Sequence, residues 1–203
     1  METRKVGDNT LNLSIIIPCK SGHDDPHIVG MVEATERICP NAQIIVSSDR
    51  YGRGKGWALR EGLQHAQGDI ICFIDGDLDI DPGWIPELMY CLQGCDIVIG
   101  KKPITGLWKR RVITFCSRLF IGTLFGLWCD TQTGIKMFRR NALPQWQDDS
   151  FAFDIEILSK AKKAKAVIRE CPIEVNIRKN MPTRSILRFI KGALKIRLRL
   201  WAR

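Results

Sequence analysis

The sequence contains no CxxC pair, no uninterrupted apolar stretch long enough to cross a bilayer, and no apolar N-terminal segment typical of a secretory signal. Its eight cysteines are scattered, and Cys72, Cys116 and Cys129 lie inside apolar runs. This distribution favours buried, reduced thiols over disulfides or a zinc site. The three histidines form no ligand pattern. Reduced thiols and the lack of a secretory signal lead us to expect a cytoplasmic protein.

Acidic residues are absent from the end of the chain. From Arg178 onward nine residues are Lys or Arg and none is acidic, so the preceding part carries 22 charges of each sign. The net charge of +9 thus belongs to the tail. This argues against a generally basic nucleic-acid-binding domain, and no nucleic-acid reader motif is present, so we expect a local anionic partner and no nucleic acid.

Short apolar strands alternate with helices along the chain. We predict strands at residues 13–17, 43–46, 70–74, 96–99 and 167–175, and helices at 28–38, 57–66 and 82–92. This order predicts one α/β domain with a mostly parallel, Rossmann-like sheet covered by helices. Ligands of such sheets bind at the carboxyl ends of the strands. These ends carry Pro18, Asp49, Asp75 and Lys101, which we expect to meet in one crevice.

The most distinctive stretch follows the strand at 70–74 and places aspartates at positions 75, 77, 79 and 81. Alternate side chains of an extended backbone point to the same side, so Asp75, Asp77 and Asp79 can converge. Converging carboxylates repel one another unless a cation lies between them, and a hard divalent ion is suited to oxygen ligands. A solvated acidic loop ahead of an Asp-Pro helix start is the alternative.

The glycine-rich loop at residues 52–56 has neither the spacing of a Walker A loop nor that of a dinucleotide-binding loop. Lys55 lies between two of its glycines at the start of a predicted helix, where it can meet a phosphate or a carboxylate. A flexible turn with a solvated lysine explains the loop equally well.

Two segments combine basic and apolar residues. Residues 108–129 have a tryptophan near each end and three basic residues near the start, which favours a helix at a membrane surface over a core helix. The tail from Thr183 has an apolar helical face beside basic residues, which suits an anionic membrane surface or a cover for the core. We therefore divide the chain into a domain at 1–182 and a basic amphipathic helix at 183–203.

Five motifs in this order resemble the family 2 glycosyltransferases of the GT-A fold, most of all the dolichyl- and polyprenyl-phosphate mannosyl- and glucosyltransferases. They span about residues 13–190 and are Ile15–Pro18, Gly54–Gly62, Gly68–Pro82, Asp130–Phe138 and Phe151–Glu156. The sequence departs from the family's pattern after the first strand, where Cys19 and Lys20 replace an aromatic-Asn-Glu segment. It also has Ser48–Asp49 in place of an Asp pair, and we expect no transmembrane segments after the domain.

The resemblance implies a role for each matching residue. Asp75 and Asp77, with Asp79 as a further ligand, would hold Mg²⁺ or Mn²⁺ against a sugar-nucleotide diphosphate. The nucleotide-binding group would consist of Pro18, Asp49, Lys55 and Asp75. The catalytic group would consist of Asp130, Gln132 and Asp77. The residues that grip the acceptor phosphate would be Lys102, Arg111, Arg184 and Ser185.

The implied reaction moves a hexose from UDP or GDP to a polyprenyl (dolichyl-type) phosphate, with inversion, at the cytoplasmic face of a membrane. A lipid phosphate is already anionic, so a strong general base is not obligatory. One alternative is a GT-A transferase with a soluble protein or glycan acceptor, for which Asp130 or Glu156 would be the base. The other is a non-catalytic membrane adaptor with a degenerate transferase fold.

Overall fold

The strands of the computed structural model form one sheet. The structure describes residues 12–20, 25–103, 108–175 and 183–201, with the backbone alone for 109–110 and 183–188. Within these ranges the strands are β1 (Leu13–Cys19), β2 (Gln43–Ser48), β3 (Ile70–Ile74), β4 (Ile97–Lys101), β5 (Ile135–Arg139) and β6 (Ile168–Pro172). Their order across the sheet is β2-β1-β3-β5-β4-β6.

Most neighbouring strands run parallel, as predicted. β1 pairs in parallel with β2 and β3, and β4 pairs in parallel with β6. β5 is the exception, because it lies antiparallel between β3 and β4. The predicted α/β class with a mostly parallel sheet is therefore confirmed.

The described residues contain six α-helices. They are α1 (Pro26–Ile38), α2 (Lys55–His65), α3 (Ile85–Cys91), α4 (Trp108–Phe125), α5 (Phe153–Lys163) and α6 (Thr183–Trp201). The helix predicted at 82–92 begins as a separate 3₁₀ turn at Pro82–Trp84, where the Asp81 carboxylate accepts the Gly83 N–H. The strand predicted at 167–175 is paired only from Ile168 to Pro172.

Helices cover both faces of the sheet and bury two apolar layers. Alternate residues of β3 serve opposite layers: Ile71 and Phe73 pack with residues of α2, α5 and α6, whereas Cys72 and Ile74 pack with residues of α1 and α3. Burial on both faces explains why strands such as β1 are almost continuously apolar. The sheet is therefore a rigid base for the loops at its carboxyl edge.

α4 and α6 each have an inner and an outer face. Ala193 and Ile196 of α6 and Ile121 of α4 are buried in the first layer. Large apolar side chains remain exposed on the outer faces of both helices: Trp108, Val112, Ile113, Phe115, Leu119, Leu194, Leu198 and Trp201. The tail helix thus covers the core with one face and leaves another unpartnered. Among the described helices, none combines the length and the hydropathy that crossing a membrane requires.

Candidate functional site

A cleft of about 610 Å³ lies at the carboxyl ends of β1, β2 and β3. Its lining brings together six of the residues predicted from the sequence, which are Pro18, Asp49, Lys55, Asp75, Asp77 and Asp79. Phe151, Lys20, Asp25 and His27 also line it. Lys101 does not: its ammonium lies 2.7 Å from a carboxylate oxygen of Glu170. The expectation that Lys101 joins this crevice is therefore wrong, because β4 is separated from β3 by the antiparallel strand β5.

The acid stretch is held in place by backbone contacts. The N–H of Asp75, the first residue after β3, donates to the carbonyl of Gly134 at 2.9 Å. Gly76 is packed so tightly that a Cβ there would lie 2.4 Å from Cδ1 of Ile28. The Asp79 N–H donates to the Asp77 carboxylate at 3.2 Å. Asp75, Asp77 and Asp79 thus face one cleft, whereas Asp81 caps the following turn.

The cluster of Asp75, Asp77 and Asp79 is short of positive charge. Burial, followed by repulsion from Asp75, raises the pKa of Asp77, and the negative charge of Asp79 adds to the effect. Lys55 forms an ion pair with Asp75. Burial alone would lower the pKa of Lys55, but attraction to Asp75, Asp154 and Asp77 outweighs it, and the pKa is raised. Carboxylate oxygens are the ligands that a hard divalent ion such as Mg²⁺ or Mn²⁺ prefers, and these three acids line the cleft together.

The glycine-rich loop that carries Lys55 has a defined conformation. The Asp49 carboxylate accepts the N–H groups of Arg53 at 2.8 Å and of Gly54 at 2.7 Å. Gly54 has φ of 125°, and a Cβ there would lie 2.2 Å from the carbonyl oxygen of Asp149. These contacts favour a fixed loop that aims Lys55 at a carboxylate over a flexible turn with a solvated lysine. Asp49 therefore stabilises this loop in addition to lining the cleft.

The motif at residues 130–134 lies beside the cleft, although its side chains do not line it. Asp130 is buried and accepts a hydrogen bond from Arg118 of α4 at 3.0 Å, while its N–H donates to Glu170 at 2.8 Å. Lys102 donates to the carbonyl of Gln132 at 3.0 Å. The side-chain amide nitrogen of Gln132 is buried and has no hydrogen-bond partner among the described residues. Such a donor can form a hydrogen bond with an oxygen atom of a bound ligand.

Of the four residues predicted to contact the acceptor phosphate, Lys102 and Arg111 do not line the cleft. Arg111 lies on α4, where it is exposed, and it does not line the cleft. The side chains of Arg184 and Ser185, at the start of α6, lie outside the described residues. Among the members of this group whose side chains the structure describes, Lys102 contacts a predicted site residue, Gln132.

Sequence reasoning missed a buried ion pair next to the cleft. Lys136 of β5 lies 2.9 Å from Asp154 of α5, and their side chains are 3% and 7% exposed. Burial raises the pKa of Asp154, and the positive charges of Lys136 and Lys55 oppose that rise. An acid at the start of a helix, such as Asp154, is readily explained by the helix dipole alone, and the available signal for the pair was a lysine within the apolar run at 135–138. The pairing of Arg118 with Asp130 was missed as well.

Glu156 is also held by an ion pair and by hydrogen bonds. Its carboxylate is 4% exposed and accepts the Lys160 ammonium at 2.6 Å, together with the N–H groups of Gln147 at 3.1 Å and Asp148 at 2.9 Å. Burial alone would raise its pKa, but these hydrogen bonds hold the pKa of Glu156 below its usual value. It does not line the cleft.

Comparison with known proteins places these features in a family. Residues 26–144, more than half of the chain, match the family described as Glycosyl transferase family 2. The chain is 26% identical over 185 residues to the dolichyl-phosphate beta-glucosyltransferase of Dictyostelium discoideum, an alignment covering 79% of this chain and 55% of that relative. It is 30% identical over 97 residues to the dodecaprenyl-phosphate galacturonate synthase of Rhizobium johnstonii, covering 45% and 29%. The chain thus spans about half or less of these relatives.

The fold has counterparts among solved structures. Glucosyl-3-phosphoglycerate synthase of Mycobacterium tuberculosis, in complex with Mn²⁺ and UDP-glucose, is similar with a TM-score of 0.76 and 19% identity, covering 93% of this chain and 79% of that one. The complex of the same protein with phosphoglyceric acid gives 0.75 and 19%, covering 92% and 80%. This likeness confirms the predicted GT-A fold, and the family match confirms the resemblance drawn from the motifs.

Proposed function

This chain belongs to glycosyl transferase family 2, and from that premise we propose that it transfers a hexose from a UDP- or GDP-sugar to a polyprenyl phosphate. The observation that carries the proposal is the convergence of Asp75, Asp77 and Asp79 with Lys55 in one cleft. The names of the relatives, which are dolichyl- and dodecaprenyl-phosphate sugar transferases and synthases, support the choice of acceptor.

The acid cluster is the proposed metal site. Asp77 and Asp79, with Asp75, would hold Mg²⁺ or Mn²⁺. When bound, such an ion neutralises the negative charge that develops on a departing nucleoside diphosphate. The fixed loop at residues 52–56 would hold Lys55 on the same side, where its ammonium adds positive charge for the diphosphate. Asp49 supports this arrangement by capping the loop.

The engagement of the possible bases supports a phosphate acceptor over a hydroxyl acceptor. A hydroxyl must lose a proton as it attacks, so it needs a base within reach. Asp130 is paired with Arg118, and Glu156 is paired with Lys160 and two N–H groups. An anionic phosphate needs no such base, and in-line attack by it on the anomeric carbon inverts the configuration. Positioning and charge would then supply most of the acceleration.

The outer faces of α4 and α6 are the proposed contact with the membrane. Exposed aromatic and aliphatic side chains, such as Phe115, Leu198 and Trp201, project from helices whose sequences contain no acidic residue. Apolar side chains flanked by Lys and Arg are typical of helices that lie on anionic lipid. We place this contact at the cytoplasmic face, where anionic lipid is concentrated.

The test is a transfer assay with purified protein, Mn²⁺ or Mg²⁺, a short polyprenyl phosphate, and radiolabelled UDP- and GDP-hexoses. Asp77→Ala should abolish the movement of label into the lipid phase. The matched control is Asp81→Ser, because it removes one acid of the same stretch and keeps a side chain that caps the turn. It should transfer like the wild type. The anomeric configuration of the product, read by NMR, should be inverted.

Three results would contradict parts of the proposal. Binding of a sugar nucleotide without any transfer to lipid would refute the acceptor and favour a soluble acceptor or a non-catalytic adaptor. Retention of configuration would refute the direct attack. Equal sedimentation of the wild type and Leu198→Glu with phosphatidylserine vesicles would refute the membrane face. As a control, vesicles of pure phosphatidylcholine should bind less of the wild type than vesicles that contain phosphatidylserine.

A further inference from the structure

A second cluster of ligating side chains lies outside the cleft. One oxygen of Glu87 and the sulfurs of Cys91 and Cys171 all lie within 4.8 Å of one another. We call these three residues the thiol cluster. The cysteines are 80 positions apart in the sequence, so no local spacing indicates that they meet.

The fold builds the cluster from a helix and an edge strand. Glu87 and Cys91 are four residues apart on α3, so they share one face of that helix. Cys171 lies on β6, opposite Gly100 of β4. Cys171 is 1% exposed and Cys91 is half-buried, whereas Glu87 is exposed. The cluster is therefore anchored in the protein and open to solvent on the carboxylate side.

The thiol cluster consists of three acidic groups, and burial keeps the Cys171 thiol protonated in the absence of a metal. Burial raises the pKa of the Cys171 thiol to about 12, and the contact with Cys91 and the negative charge of Glu87 act in the same direction. Glu87 forms no ion pair with any residue in the described ranges. Arg169, the nearest cation on β6, donates to the carbonyl of Cys91 at 3.5 Å. Three groups that are anionic when deprotonated thus share a small space, with one guanidinium beside them.

We propose that Glu87, Cys91 and Cys171 bind one zinc ion, with water as the fourth ligand. A tetrahedral site with Zn–S bonds of about 2.3 Å puts two sulfurs about 3.8 Å apart. From a separation within 4.8 Å, the side chains need to close by at most about 1 Å. Two sulfurs and one oxygen form a soft donor set, which selects zinc over Mg²⁺ and Mn²⁺. The all-oxygen cluster in the cleft has the opposite preference.

Zinc at this position would tie α3 to the edge strand. Glu170, the residue before Cys171, accepts the N–H of Asp130 and the ammonium of Lys101. Fixing Cys171 therefore fixes the strand that supports the motif at 130–134. Binding of the ion should therefore raise the thermal midpoint of the folded chain, because a ligand that binds only the folded state stabilises that state.

The experiment is a Co²⁺ titration of the full chain under reductant, with Mg²⁺ in large excess to occupy the carboxylates of the cleft. A thiolate-to-cobalt charge-transfer band should saturate at one equivalent and disappear when Zn²⁺ is added. Cys91→Ser should remove about half of its intensity, because charge transfer counts thiolates. Glu87→Gln should weaken binding at least about tenfold, since even outer-shell partners of a metal contribute about 10–100-fold.

Two control variants each remove one group of the same kind outside the thiol cluster. Cys116→Ser removes an exposed cysteine of α4, and Glu36→Gln removes an exposed helical glutamate of α1. Both should titrate like the wild type. Because Glu87 is exposed, Glu87→Gln is expected to fold even if a cysteine variant does not. No charge-transfer band at one equivalent of Co²⁺ would overturn the proposal. A band whose intensity is unchanged in Cys91→Ser would overturn it as well.

Discussion

Replacing Gly134 by alanine should damage the proposed metal site with little direct effect on the rest of the fold. A Cβ at this position would lie 2.3 Å from Oδ2 of Asp75, 2.7 Å from its Cγ and 3.1 Å from its Cβ. Real Cβ atoms essentially never approach other atoms closer than 3.0 Å, so the Asp75 carboxylate must move by at least about 0.7 Å. The backbone of Gly134 does not have the positive φ that alanine avoids.

The size of the effect follows from this displacement. Asp75 cannot turn aside without cost, because its carboxylate pairs with Lys55 and its N–H donates to the carbonyl of Gly134 itself. Overpacking a well-packed site costs about 1–3 kcal/mol of stability. A misplacement near 1 Å of a positioning group costs about 10²-fold in rate. We therefore expect kcat/KM for sugar transfer to fall about 100-fold, and Mn²⁺ binding to weaken with it.

The assay compares Gly134→Ala with Gly30→Ala. A Cβ at Gly30 of α1 meets only Cδ1 of Leu78, at an ordinary 3.9 Å. This variant should keep wild-type kinetics and Mn²⁺ affinity, and a helical alanine should raise stability by up to about 1 kcal/mol. The kinetics and the Mn²⁺ affinity of both variants are measured at a temperature at which urea titration shows that each variant is folded. If Gly134→Ala retains kcat/KM and Mn²⁺ affinity within about twofold of wild type, the position of Asp75 does not matter for either.

Three further changes test the surroundings of the cleft. Asp154→Asn leaves Lys136 buried without its partner and should cost about 3–5 kcal/mol in urea unfolding, whereas Asp149→Asn, at a half-exposed ion pair, should cost about 1 kcal/mol or less. Gly56→Ala puts a Cβ 2.3 Å from a backbone oxygen and should lower stability by about 1–3 kcal/mol. The Glu156→Gln variant should be less stable than wild type near neutral pH, and the difference in free energy of unfolding should narrow as pH falls below 4.5. The reason is that a carboxyl group with a lowered pKa stabilises the folded state only while it is ionised. A difference that does not depend on pH would contradict this.

Patterns of burial allowed much of the fold to be predicted. A strand covered on both faces must be apolar throughout, which marks β1 and β3 in the sequence. The rule that parallel sheets bind ligands at their carboxyl edge then brought Pro18, Asp49 and Asp75 to one place, and all three line the cleft. These inferences succeeded because they depend on the periodicity of a single strand and on its direction.

Contacts between distant segments could not be predicted in the same way. The pairing of Lys136 with Asp154 depends on how α5 lies against β5, and the pairing of Arg118 with Asp130 depends on the direction of α4. No spacing along the chain encodes either contact. The thiol cluster is the extreme case, because composition and the absence of CxxC favoured isolated thiols, whereas Cys91 and Cys171 meet through the packing of α3 on β6.

The direction of β5 determines why the motif at residues 130–134 belongs to this site. The motif precedes its strand, so in a wholly parallel sheet it would lie at the amino edge, opposite the acid cluster. β5 instead runs antiparallel to β3, with Ile135 opposite Ile74. Its start therefore reaches the carboxyl edge, where the carbonyl of Gly134 accepts the Asp75 N–H. One reversed strand thus brings the acid cluster and the motif into contact, and a residue as small as glycine is required where they meet.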